Sequence, residues 1–220
     1  MTTTAVLFDL DGTLLDTAPD FETATNRLLA ENNKPALLPG SIRHLVGNGS
    51  AQIVTQAFGV ERDKPEFKAL QLGFLEHYRN CLVDKTRLFT GLETSLEYLD
   101  KSQIPWGIVT NKPLEYAKPI VKALLPSSQV LVCPDHVEIA KPDPDGILLA
   151  CSTIDQDPES CLYVGDHLRD IQAAKAAGSK SVAVGWGYIG DEEEHTEWGA
   201  DWCVAKSENL TQLLQELFAN

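Results

Sequence analysis

Positive charge is scarce in this sequence. Its 220 residues include 18 Lys and Arg against 32 Asp and Glu, a formal net charge of −14. That balance argues against general binding of nucleic acid or of an anionic membrane surface, both of which need basic footprints. It leaves room for a small phosphorylated substrate, because screening at physiological salt acts over ~8 Å and local cations decide binding in a cleft. Paired cysteine motifs are missing as well. Cys81, Cys133, Cys151, Cys161 and Cys203 form an odd set with no C-x-x-C spacing. Free, mostly buried thiols in a reducing compartment are expected, not a disulfide framework or a zinc site. No apolar run is long enough to span a membrane, and the first one has no basic stretch before it. A cytoplasmic protein without a signal peptide is therefore expected. Internal repeats and low-complexity tracts are also lacking.

What is present is an apolar content of 43%, ample for one large domain or a core with a smaller appendage. Ala5-Val6-Leu7-Phe8 reads as a buried strand. Apolar residues then recur at helical spacing (Phe21, Leu28, Leu29; Ile42, Leu45, Val46; Phe67, Leu70, Phe74, Leu75), punctuated by Pro35, Pro39, Gly40, Gly59 and Pro65. From about Lys85 the rhythm alternates. Helices are expected over Leu92–Asp100, Leu114–Leu124, Pro144–Cys151, Ile171–Ala177 and Glu208–Phe218, and strands over Pro105–Thr110, Val130–Val132, Cys161–Val164 and Ser181–Val184. Such alternation implies an α/β fold, a doubly wound, mainly parallel sheet of Rossmann-like type covered on both faces. The early helical block reads as an inserted cap. The expected division is 1–15 with 86–220 as the α/β core and 16–85 as the helical cap.

The chemistry sits in two aspartate clusters. Asp9-Leu10-Asp11-Gly12-Thr13 closes the first apolar run, and Gly165-Asp166-His167-Leu168-Arg169-Asp170 closes Cys161-Leu162-Tyr163-Val164. Carboxylates at the carboxyl ends of strands lie where α/β folds bind ligands. If they converge, two unit charges ~4 Å apart repel by roughly 4 kcal/mol at an effective dielectric of ~20. A hard cation answers that repulsion, and oxygen-only ligands suit Mg²⁺. Gly12 permits close backbone approach, and Thr13 can offer its hydroxyl and N–H to an oxyanion. Thr110-Asn111 follows a strand and opens a helix, a phosphate-oxygen site. Lys141, before Pro142, projects from an extended segment and supplies a cation. Asp166 is a metal-ligand candidate; Asp170 could ligate directly, bind through water, or orient Lys141.

In the order DxDGT, T-N, K-P and GDxxxD, these pieces resemble the haloacid dehalogenase superfamily of phosphatases. The resemblance implies that Asp9 is the nucleophile, forming an aspartyl-phosphate, and Asp11 the general acid and base. It implies that Thr110 and Lys141 hold phosphoryl oxygens and that Mg²⁺ is held by Asp9, the carbonyl of Asp11, and Asp166. An aspartate two residues after the nucleophile also speaks against dehalogenation. Within the superfamily the chain resembles phosphoglycolate phosphatases and N-acetylmuramic acid 6-phosphate phosphatases. The latter likeness runs through Leu14–Phe21, Trp106–Pro113, Cys133–Val137, Gly187–Ile189 and Trp198–Asp201, whereas Ile42–Gly49 looks more like the former. Arg43, with Asn48 and Gly49, is the candidate for selecting a carboxylate-bearing substrate.

The expected partner is thus a small anionic phosphorylated metabolite, met by a monomer or small homo-oligomer. A phosphomutase on the same scaffold and a phospho-accepting signalling module are the alternatives. Gly185-Trp186-Gly187-Tyr188-Ile189-Gly190 matches a dinucleotide fingerprint, but Asp191-Glu192-Glu193-Glu194 follows where a pyrophosphate would lie and would repel it. The acidic run reads as a solvated loop, Trp106 as core, and His136, His167 and His195 as structural or solvated.

Overall fold

The computed structural model of the chain describes residues 3–190 and 194–219. In chain order its elements are β1 (Ala5–Phe8), β2 (Leu15–Asp16), α1 (Ala18–Glu31), α2 (Gly49–Phe58), α3 (Phe67–Arg79), β3 (Arg87–Leu88), α4 (Leu92–Lys101), β4 (Trp106–Val109), α5 (Leu114–Leu124), β5 (Leu131–Val132), α6 (Asp145–Thr153), β6 (Cys161–Gly165), α7 (Leu168–Ala177), β7 (Lys180–Val184), β8 (Trp202–Val204) and α8 (Leu210–Phe218). The chain divides into two compact units, Met1–Leu15 with Leu88–Asn220, and Asp16–Arg87. Short strands β2 and β3, at the two crossings, form a two-stranded sheet.

The first unit is built on a six-stranded sheet in the order β5-β4-β1-β6-β7-β8. Its strand pairs run parallel. Successive side chains of a strand face opposite ways. Ala5 and Leu7 of β1, Val109 of β4, and Cys161 and Tyr163 of β6 pack on one face with Ile147, Ala150 and Cys151 of α6 and Ala173 and Ala174 of α7. The alternate residues Val6, Phe8, Trp106, Ile108, Leu162 and Val164 are buried as well. Burial on both faces explains why these strands read as unbroken apolar runs. Trp106 is core: its ring meets Phe8 edge-on at 6.2 Å between centroids, and its indole N–H donates to Asp100 at 2.8 Å.

The second unit is helical. Phe21 of α1 packs against Phe74 and Tyr78 of α3 at centroid distances of 5.9 and 4.1 Å. Ile42, Leu45, Val46, Ile53, Val54 and Phe58 are buried with them. Asp20, wholly buried, accepts hydrogen bonds from the backbone N–H groups of Lys85 and Thr86 and from the Thr86 hydroxyl at 2.7–2.9 Å. This carboxylate ties the first turn of α1 to the segment that leaves the unit.

Most element bounds lie within one to three residues of those expected. Helix α7 starts at Leu168, three residues before the expected Ile171, because His167 and Asp170 form a reciprocal capping box at its N-terminus. Strand β8 was not expected. Its three residues, two of them only partly covered or exposed, give no periodic signal. All five cysteines are free thiols; Cys203 is exposed and the other four are buried. Among the described residues no helix is long and apolar enough to cross a membrane.

Candidate active site

From β1 the sheet grows outward to β4 and β5 on one side and to β6, β7 and β8 on the other. The strand order therefore reverses at β1, and the crevice at the carboxyl ends of its neighbours is where open α/β sheets take ligands. The residues just past three adjacent strands are Asp9 after β1, Thr110 after β4, and Asp166 after β6. Ladder-like bonds carry these ends forward, from Asp9 N–H to the Val164 carbonyl at 2.9 Å and from Thr110 N–H to the Val132 carbonyl at 3.0 Å.

Asp9 is held through one oxygen. Oδ1 accepts from the Leu10 N–H at 2.7 Å and lies 3.0 Å from Lys141 Nζ. The Lys141 side chain is 1% exposed. Its ammonium also reaches Asp170 Oδ1 and Tyr163 Oη at 2.7 Å and the Val109 carbonyl at 3.0 Å. The Tyr163 hydroxyl donates to that same carbonyl at 2.7 Å, so its lone pairs are left for the ammonium. Asn111 clasps the backbone of Lys141: its amide donates to the Lys141 carbonyl at 2.9 Å and its oxygen accepts from the Lys141 N–H at 3.1 Å. Expected to bind substrate, Asn111 thus has a bracing task as well. Asp170 closes the set, its second oxygen accepting from the His167 N–H at 3.0 Å.

Asp166 is 4% exposed. Its oxygens accept from the Thr13 hydroxyl and from the Tyr188 N–H, each at 2.8 Å. Room for it comes from two glycines: a Cβ at Gly12, where φ is +86°, or at Gly187 would run into its carboxyl group. The Trp186 indole donates to the Thr13 carbonyl at 3.0 Å. The glycine-rich segment 185–190 thus backs the carboxylate after β6. Thr13, expected to face an oxyanion, uses its hydroxyl on Asp166.

One oxygen from each of Asp9, Asp166 and Asp170 comes within 4.8 Å of the others. Asp9 and Asp170 share one ammonium, Lys141, whereas Asp166 is met by a hydroxyl and a backbone N–H. Burial, then the carboxylates of Asp9 and Asp170, push Asp166 up to about 8. Burial likewise pushes Asp170 up to about 6, with Lys141 opposing and Asp9 adding to the rise. Burial pulls Lys141 down, but Asp170 and Asp9 outweigh it and leave the ammonium held above its ordinary value. A buried, all-oxygen donor set with carboxylate charge to spare fits a hard divalent cation.

Asp11 lies beside this set. Lys112 Nζ donates to its Oδ1 at 2.9 Å and its Oδ2 at 3.1 Å, and the Lys112 N–H donates to the Thr110 hydroxyl oxygen at 3.2 Å. Sequence reasoning assigned Lys112 no role, since a lone lysine in sequence looks like a solvated charge. Tyr163 carries no visible role in the sequence either, and Trp186, Gly187 and Tyr188 are legible there only as part of the glycine-rich Gly185–Gly190 segment. His167 caps α7 through Nδ1; burial, then Arg169, lowers it to about 4, so it is a neutral structural imidazole at pH 7. In the second unit Arg43 reaches both oxygens of Asp16 at 2.8 Å, so its charge is already answered. Asn48 precedes α2 and Gly49 opens it at a φ of +79°. Residues 191–193 of the acidic run lie outside the described residues.

The model of the haloacid dehalogenase-like hydrolase family matches residues 6–184, a span that takes in the ends of β1, β4 and β6. The chain belongs to that family, and it is a phosphatase. It is 46% identical over 203 residues to the N-acetylmuramic acid 6-phosphate phosphatase of Pseudomonas putida, covering 91% of each chain. It is 40% identical over 209 residues to the phosphoglycolate phosphatase of Xanthomonas campestris pv. campestris, covering 94% of each. A crystal structure from Haemophilus somnus, described as a predicted phosphoglycolate phosphatase, superposes with a TM-score of 0.84 at 26% identity, over 98% of this chain and 99% of that one.

Proposed function

We propose that this protein is a Mg²⁺-dependent phosphomonoester hydrolase that works through an aspartyl-phosphate on Asp9. The observation that carries the reading is the convergence of Asp9, Asp166 and Asp170 at the reversal point of the sheet, where a buried lysine, Lys141, meets two of the three. Asp9 and Asp166, with the main-chain carbonyl of Asp11 and with Asp170 alongside, would hold the cation, which supplies charge neutralisation at the phosphoryl group.

The chain's own groups then do the following. Thr110, Lys141 and the backbone of the Gly12-Thr13 turn bind phosphoryl oxygens. A carboxylate oxygen of Asp9 attacks phosphorus, the ester P–O bond breaks, and the departing oxygen takes a proton from Asp11. Water then attacks phosphorus and gives its proton to Asp11. The acyl-phosphate P–O bond breaks, releasing inorganic phosphate and restoring Asp9. Splitting the reaction this way suits a bond whose uncatalysed cleavage is among the slowest known.

For substrate we propose a small carboxylate-bearing phosphomonoester, of the N-acetylmuramic acid 6-phosphate or 2-phosphoglycolate type. The relatives at 46% and 43% identity carry the first name and support the sugar phosphate as the one to try first. Substrate choice is assigned to the helical unit, with Arg43, Asn48 and Gly49 as its candidates. The test is kcat/KM for the two compounds on one Mg²⁺-loaded preparation, read as inorganic phosphate. A ratio above ~100, worth roughly 2.7 kcal/mol at the transition state, decides between them. Phosphate release from neither refutes the substrate class, transfer to a second sugar hydroxyl would mark a mutase, and near-wild-type turnover by Asp9→Asn refutes the nucleophile.

A further inference from the structure

We infer that Lys112 is a positioning residue for the reaction, fixing the Asp11 carboxylate for its two proton exchanges, with the leaving oxygen and then with water. The inference rests on the reading of Asp11 as acid and base given above.

The Lys112 side chain is 4% exposed and that of Asp11 16%. Taking an ammonium out of water costs several kcal/mol unless a carboxylate answers it, so a lysine this deep is not a solvated surface charge. The centre already has a buried ammonium in Lys141, and the second one is aimed at Asp11. It contacts both carboxylate oxygens, at 2.9 and 3.1 Å. Contact with both oxygens from a point near the axis of the carboxyl group holds the direction of its stem and keeps both oxygens at the site. The lysine is itself anchored, since its N–H donates to the Thr110 hydroxyl oxygen at 3.2 Å. The turn after β4 thereby sets Thr110 and Asp11 in one frame. A group that moves a proton must lie within about 2.6–3.2 Å of it, so a carboxylate held in this way is ready without a search.

The experiment compares two phosphomonoesters in wild type, Lys112→Met, Asp11→Asn and the double variant. One is p-nitrophenyl phosphate, whose leaving group needs no proton. The other is an alkyl ester, the better of N-acetylmuramic acid 6-phosphate and 2-phosphoglycolate. In Lys112→Met, kcat/KM for the alkyl ester is expected to fall on the order of 10²-fold, the scale of a lost general acid. For p-nitrophenyl phosphate kcat/KM holds within ~3-fold, while kcat and KM fall together and a burst of nitrophenolate appears as the water step slows. In the Asp11→Asn background the lysine change adds little, because it acts through Asp11. Equal losses on both esters, no burst, or losses that multiply in the double variant overturn the inference. Should Asp11→Asn itself fail to discriminate between the esters, the reading of Asp11 falls and this inference with it. Discrimination in Asp11→Asn but not in Lys112→Met sinks the lysine's role alone. Lys112→Gln carries the same comparison if the methionine variant does not fold.

Discussion

Removing the divalent cation should make the stability of this protein fall as pH rises, in a window set by Asp166. Its carboxyl group, ordinarily near 3.8, is pushed to about 8 by burial and by the charges of Asp9 and Asp170. Between those values the native state keeps a proton that the unfolded chain has released, so stability is lost as pH rises, by up to about 1.4 kcal/mol per pH unit. Below pH 6.5 the picture is mixed. Asp170, raised to about 6, adds to the fall, whereas His167, lowered to about 4, opposes it by binding its proton more readily when unfolded. Between pH 6.5 and 8 Asp166 dominates, the smaller remaining contributions of His167 and Asp170 opposing one another, and integrating its partial titration gives a loss of between about 1 and 2 kcal/mol. The assay is urea unfolding in EDTA at half-unit steps across that window, repeated with saturating Mg²⁺ and with Asp166→Asn. The slope should vanish in both controls, because the bound cation keeps the carboxylate ionised and the amide does not titrate. A flat profile in EDTA, or the same slope in Asp166→Asn, would show that Asp166 is not held protonated by its neighbours.

Gly187→Ala should cripple cation binding without unfolding the chain, because its Cβ lands on the Asp166 carboxyl group. Overpacking of this kind costs about 1–3 kcal/mol, and calorimetric titration should show at least a tenfold weaker Mg²⁺ affinity; unchanged affinity would refute the close packing. Asp20→Ala should lose about 2–4 kcal/mol in urea, since it strands two backbone donors and a hydroxyl inside the helical unit. Arg43→Ala, by contrast, should cost less than ~1 kcal/mol in the same assay, its ion pair with Asp16 being well over a quarter exposed on both sides.

Much of the architecture could be read from residue order, because strands buried on two faces write themselves as apolar runs. Helix α5 falls on the expected Leu114–Leu124, and Asp9 and Asp166 stand directly after β1 and β6 as their positions after Phe8 and Gly165 require, with Asp170 in the first turn of α7. What escaped depends on distant contacts. Nothing near Lys112 in sequence hints that Asp11, a hundred residues earlier, will meet its ammonium. Tyr163 reads as one more apolar residue of β6 until the fold sets its hydroxyl against Lys141. The glycines of 185–190 are legible as a motif, but the use the fold makes of Gly187, clearing space for Asp166, exists only once β6 and the segment after β7 are side by side. Arg43 shows the converse: its charge was legible, its partner Asp16 was not.

The central place of β1 has a consequence for the order of assembly during synthesis. Residues 16–87 are contiguous and make up one compact unit. Strand β1 emerges before them, yet its partners are residues 106–108 of β4 and 161–164 of β6. The nascent chain therefore carries an unpaired strand of four apolar residues until β4 is made, about halfway through translation, and keeps one edge of it open until β6 follows. Asp9 and Asp11, directly after that strand, are charged gatekeepers of the kind that discourage such pairing. The acids that define the finished site thus also keep its first strand soluble while it waits for its neighbours.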